Sequence, residues 1–147
     1  MQNPPNNEIR VEVRSTIDIV TARQQGREQA QALGFSGAEV TLVAAAISEI
    51  ARNILDHAKR GEVILSSVQH GGRRGLQVIA QDQGPGIPDV AQAMQYGYST
   101  RRGLGVGLPG AKWLMDEFEI TSTVGQGTKV TMRKWIKNET SKLNRKN

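Results

Sequence analysis

From Val40 toward Ala58 the apolar residues Val40, Leu42, Val43, Ala46, Ile47, Ile50, Ala51, Ile54 and Leu55 recur at helical spacing and form the longest apolar helix pattern in the chain. A helix this apolar must be covered by a broad apolar surface. The rest of the chain offers that surface as strands. Glu8–Arg14 alternates Ile9, Val11 and Val13 with charged residues, the period of a half-buried strand. Glu62–Val68 and Leu76–Ala80 read as two strands joined by a hairpin loop over His70–Gly75, and Phe118–Val124 with Thr128–Ile136 as a second hairpin around Gly125-Gln126-Gly127.

Further helices are expected over Thr16–Leu33, closed by Gly34 and weakened by the internal Gly26, and over Leu108–Glu117, with Pro109 tolerated in its first turn. A short one is expected near Val90–Met94. Ser36 and Glu39 have the spacing of a capping box ahead of the long helix, which should end near Gly61. Strands that arrive in pairs between helices predict an α+β chain, a two-layer α/β sandwich with a mixed, largely antiparallel sheet. At 147 residues this is one domain, expected over residues 8–136, with a disordered polar N-terminus at 1–7 and a basic polar tail at 137–147.

Charge and composition narrow the function classes. The net charge of +5 is uneven: residues 129 to 147 hold seven Lys/Arg against Glu139, or +6, and the other 128 residues sum to −1. A basic tail on a near-neutral domain, with aromatics at 4% and so no stacking platform, argues against nucleic acid as a partner. The absence of Cys excludes thiol nucleophiles and thiolate metal sites, and suits a cytoplasmic protein. No apolar run approaches the ~20 residues of a membrane span, so no membrane partner is expected.

Three stretches carry chemistry. Glu49 and Asn53 stand at i and i+4, so both project from one face of the long helix. Either they are ordinary helix residues, Glu49 paired with an arginine, or they are a general base and an oxygen ligand for Mg²⁺. Asp82-Gln83-Gly84-Pro85-Gly86 follows a strand; it is good turn composition, and equally a place where glycines let a flat ligand approach while Asp82 accepts from an exocyclic amine. Gly105-Val106-Gly107-Leu108-Pro109-Gly110 is a literal G-x-G-x-x-G but lacks the preceding strand and βαβ unit of a dinucleotide fingerprint. What remains is a glycine-rich loop running into a helix start, where backbone N–H groups can bind phosphate. Arg101 and Arg102 in that loop read as solvated, and His57 as a packing residue.

Taken together, Glu49-x-x-x-Asn53, Asp82-x-Gly84-x-Gly86, Gly103-x-Gly105-x-Gly107 and Gly127-Thr128 resemble the N box and glycine boxes of the GHKL ATPases, the superfamily of gyrase and the histidine kinases, over about residues 8 to 136. Within it, Ile47–Asn53, Asp82–Pro88 and Leu114–Phe118 are similar to the switch serine/threonine kinases of bacterial stress signalling. The resemblance implies an ATP- and Mg²⁺-dependent protein kinase. Glu49 would be the base, Asn53 the Mg²⁺ ligand and Asp82 the adenine reader. Gly84 and Gly86 would lie beneath the base, Thr128 would assist Asp82, and Gly103, Gly105 and Gly107 would close a lid over the phosphates. It also implies STAS-domain proteins of the stressosome as substrates and, after release, binding and activation of a metal-dependent phosphatase. Two other readings stay open: a neighbouring anti-sigma kinase that grips a sigma factor directly, and an interaction module whose nucleotide only sets its shape.

Overall fold

A computed structural model describes residues 8–95 and 107–137. The elements run β1 (Ile9–Val13), α1 (Thr16–Leu33), α2 (Gly37–Ala58), β2 (Gly61–His70), β3 (Arg73–Asp82), α3 (Val90–Ala93), α4 (Gly107–Leu114), β4 (Glu117–Thr123) and β5 (Gly127–Trp135). The strands lie side by side as β1-β2-β3-β5-β4, and every pairing is antiparallel. The sandwich is as expected, with no parallel pair among the described strands. The lid residues Gly103 and Gly105, with Arg101 and Arg102, lie outside the described residues, as do 1–7 and 138–147.

One face of the sheet carries the core. Val11 and Val13 of β1, Val63 and Leu65 of β2, Val78 and Ala80 of β3 and Val130 and Met132 of β5 are buried, and the register sets them opposite one another. Val43, Ile47, Ile50 and Ile54 of α2, spaced to line one side of a helix, are buried in the same cluster. The opposite face is polar and cross-linked between strands. Glu62 accepts from Arg10 Nη1 (3.1 Å) and Gln81 Nε2 (2.7 Å), and Arg133 Nε donates to Gln77 (2.8 Å).

Local chemistry moves several boundaries. The loop expected over His70–Gly75 shrinks to the two residues Gly71-Gly72, with φ of 59° and 81°, while His70 pairs with Arg73. A two-residue turn with both residues left-handed matches strand twist, and glycine adopts it without a Cβ penalty. At the start of α2, Ser36 Oγ accepts from Glu39 N (3.2 Å) and donates to the Glu39 carboxylate (3.3 Å). The helix stops before Gly61, at Lys59, whose φ is 74° and whose N–H donates to Ile54 O (3.0 Å).

Helix α4 is shorter than its apolar pattern suggests because its last carbonyls and the residues after it are claimed by β5. Lys134 Nζ donates to Leu114 O (3.0 Å), Asp116 N to Arg133 O (3.0 Å), and Trp135 N to Asp116 Oδ2 (2.7 Å). Gly26 also has a different role from a weak helix residue. It is buried against α2, and a Cβ there would overlap Ile47 Cδ1. Its missing side chain sets how closely α1 and α2 pack.

Candidate functional site

The loop after β3, which begins at Asp82, is seated on the end of α2, the helix that bears Glu49 and Asn53. A Cβ on Gly84 would lie 2.5 Å from Ala58 Cβ and 2.8 Å from its Cα, so only glycine lets the loop settle there. Along a helix rising 1.5 Å per residue, Asn53 is about 7.5 Å and Glu49 about 13.5 Å from Ala58. Measured along the axis, the Asp82 loop therefore meets α2 beyond Asn53, with Glu49 a further turn back. All three are half-buried.

The Asp82 end is held by backbone. Asp82 Oδ1 accepts from Gly84 N (2.9 Å) and Thr128 N (3.3 Å), and Oδ2 has no described partner. Thr128 assists through its N–H. Its hydroxyl bonds instead to Ser122 Oγ at 2.8 Å. Ser122 Oγ also accepts from Ile87 N (2.7 Å), and Gly125 N donates to Pro85 O (2.8 Å), so the β4–β5 hairpin clasps the Asp82–Ile87 loop at both ends. Gly86, at φ 81°, sits where a Cβ would be 2.5 Å from Thr123 O, and a Cβ on Gly127 would overlap Asp82 O. A cavity of about 710 Å³ lies over the polar face of the sheet, where Glu12, Glu62, Gln81, Lys129 and Thr121 form a row, and reaches the site only at its Asp82 and Thr128 edge. Glu49 and Asn53 do not line it, so it adjoins only the Asp82 end.

At the other end Glu49 Oε1 accepts from the backbone N–H of Gly107 (2.9 Å), the first residue of α4, whose φ is 67°. The second carboxylate oxygen makes no other described bond. The base candidate thus also ties the helix that follows the glycine-rich loop to α2. Among the described residues the Asn53 amide makes no hydrogen bond, and no group of three His, Asp or Glu side chains forms a metal cage. That donor set fits Mg²⁺ held mainly by phosphate oxygens and water with one protein oxygen, the usual arrangement for this hard cation on a nucleotide. Gly84 and Gly86 are required by the close approach of the loop to Ala58 and Thr123.

Sequence reasoning missed Ser122 and Gly61, which shape the Asp82 end; a Cβ on Gly61 would lie 2.5 Å from Gln81 O. No signal in the chain marks either, since each matters only through a partner strand.

Residues 13–134 match the histidine kinase-like ATPase domain. The chain belongs to that family. This histidine kinase-like ATPase is 46% identical to the serine/threonine-protein kinase RsbT of Bacillus subtilis over 132 residues, 90% of this chain and 99% of that one. It is 35% identical to an anti-sigma F factor of a Thermoanaerobacter species over 104 residues, 67% of this chain and 71% of the relative. Among solved structures, it is similar to the RsbU and RsbW domains of a Mycobacterium tuberculosis protein, with a TM-score of 0.58 and 22% identity over 88% of this chain and 32% of that one. The SiaB–SiaC complex of Pseudomonas aeruginosa gives 0.51 and 13%, over 87% and 89%. Both support the fold alone. No described helix is long and apolar enough to cross a membrane.

Proposed function

We propose that the chain is a protein serine/threonine kinase that uses MgATP. The observation that supports the reading is the seating of the Asp82 loop on the end of the helix that bears Glu49 and Asn53, in the motif order read from the sequence. Its similarity to a serine/threonine-protein kinase over nearly the whole of both chains supports it. Asp82 reads adenine, Gly84 and Gly86 let the loop beneath the ring seat on Ala58 and Thr123, and Asn53 contributes its amide oxygen to Mg²⁺. Gly103, Gly105 and Gly107 belong to the lid over the phosphates. Glu49 orients the acceptor hydroxyl and takes its proton through the oxygen not bound to Gly107. The hydroxyl oxygen forms the new bond to the γ-phosphorus as the bond to the β,γ-bridging oxygen breaks, and ADP leaves.

STAS-domain scaffold or antagonist proteins in the cytoplasm are the proposed substrates, with a metal-dependent phosphatase bound and activated after release. The test is transfer from ATP to a STAS-domain protein by wild type, Glu49→Ala and Asn53→Ala, each checked for folding. Loss in both variants is expected, and full transfer in either refutes its role. The similarity to an anti-sigma F factor favours a second reading, direct grip on a sigma factor. Co-purification from native cells separates them: a phosphatase or STAS scaffold supports the first, a sigma factor the second. An interaction module without catalysis is supported only if Asn53→Ala still activates its partner.

A further inference from the structure

Arg52 lies three residues after Glu49 and immediately before Asn53, on the same turn of α2. Its Nε is shut off from solvent and has no hydrogen-bond partner. Among the described residues it is the one buried side-chain polar atom in that state. Glu49 at i−3 and Asp56 at i+4 are both at spacings from which a helix arginine ordinarily finds an ion pair. It pairs with neither, and Glu49 turns one oxygen to Gly107 instead. A buried, unpaired guanidinium N–H is costly and rare; the side chain as a whole is only half-buried, and its terminal nitrogens, which make no described bond either, stay open to an acceptor from a ligand.

The position decides which ligand. Arg52 shares its turn with the base and the cation ligand, where the transferred phosphoryl group lies in the reading above. A planar guanidinium fork matches two phosphoryl oxygens at once. We infer that Arg52 is a γ-phosphoryl contact of this site, holding the equatorial oxygens during transfer, in addition to Glu49 and Asn53. The inference rests on the MgATP reading above. As the acceptor oxygen bonds to the γ-phosphorus and the bridging oxygen departs with ADP, charge spreads over those equatorial oxygens, and a fixed cation there stabilises the transfer state. Glu49 receives the hydroxyl proton and Arg52 keeps its own.

The test compares binding of ADP and of the β,γ-imido analogue of ATP, each with Mg²⁺, to wild type, Arg52→Ala, Arg52→Gln and Arg52→Lys, by calorimetry. A γ-phosphoryl contact predicts that Arg52→Ala binds ADP within about 2-fold of wild type but the analogue about 10- to 100-fold more weakly, the range for a hydrogen bond to a charged group. Phosphate transfer should fall about 10³-fold, the lower end for arginines of this kind. Arg52→Lys should recover part of the analogue affinity. The melting temperature should not fall, since no made bond is lost. Equal weakening toward both nucleotides, or a lowered melting temperature with unchanged discrimination, overturns the inference in favour of a structural role. Should Arg52→Ala fail to fold, the Gln and Lys variants give the same comparison. A wild type that binds both nucleotides but transfers no phosphate defeats the kinase reading alone, because the affinity ratio still reports on Arg52. A wild type that binds neither defeats both.

Discussion

Replacing Gly26 by Ala sets two known effects against each other. In an exposed helix interior the change stabilises by about 1 kcal/mol, because glycine has more backbone freedom to lose. Here the new methyl overlaps Ile47 Cδ1 on a fully buried side chain, although Ile47 Cγ1 is at an ordinary 3.6 Å. Overpacking of this kind costs about 1–3 kcal/mol. The net expectation is a loss of about 1 kcal/mol, or about 2–4 °C in melting temperature for a chain of this size. Ile47→Val deletes the offending atom and alone costs about 0.5–1.5 kcal/mol. If the losses simply added, the double variant would be about 2 kcal/mol below wild type. Instead the methyl introduced by Gly26→Ala fills the space left by Cδ1, so the double variant should lie within about 0.5 kcal/mol of wild type, close to the scatter of additive pairs. Urea unfolding of all four proteins measures the cycle. Additivity within that scatter would refute close packing at Gly26 as the reason for the glycine. Since Ile47 precedes Glu49 by two residues, transfer activity should fall in Gly26→Ala and return in the double variant.

Asp82→Asn keeps an oxygen for Gly84 N and Thr128 N but offers N–H where an amine must be accepted; the fold should survive while calorimetry shows nucleotide affinity lowered about 10- to 100-fold. Lys59→Gly relieves a left-handed lysine at the end of α2 and should raise stability by up to about 1 kcal/mol in thermal unfolding. Glu117 is held below its ordinary value of about 4.5, first by the Trp135 Nε1–H bond (2.8 Å) and then by Arg133 (2.9 Å). Its ionised form is favoured in the folded state, so its contribution is complete above about pH 4.5 and is lost as pH falls below that value. The carboxylate is 42% exposed and solvent screening keeps the effect small. Glu117→Gln should make the acid limb of a stability–pH curve shallower, and an unchanged limb would count against the pairing.

Element types followed from periodicity alone: the alternation of Ile9, Val11 and Val13 and the helical spacing of Val40 to Leu55 are both preserved in the fold. Boundaries were less legible where a remote partner sets them. Lys134 and Trp135 end the region of α4 from across the sheet, and the glycines at 71 and 72 tighten a turn whose length the composition left open.

The sequence by itself determined the paired strands, the apolar helix and the residue types of the site, because side-chain period and acceptor chemistry are local properties. It also carried the motif order that identifies the family. Only the tertiary structure decided that Gly84 meets Ala58, that Ser122 clasps the Asp82 loop, that Glu49 holds Gly107, and that Arg52 is left without an acceptor. Each depends on which atoms distant segments bring together, and a hydrogen bond or a van der Waals overlap exists only once both partners are in place.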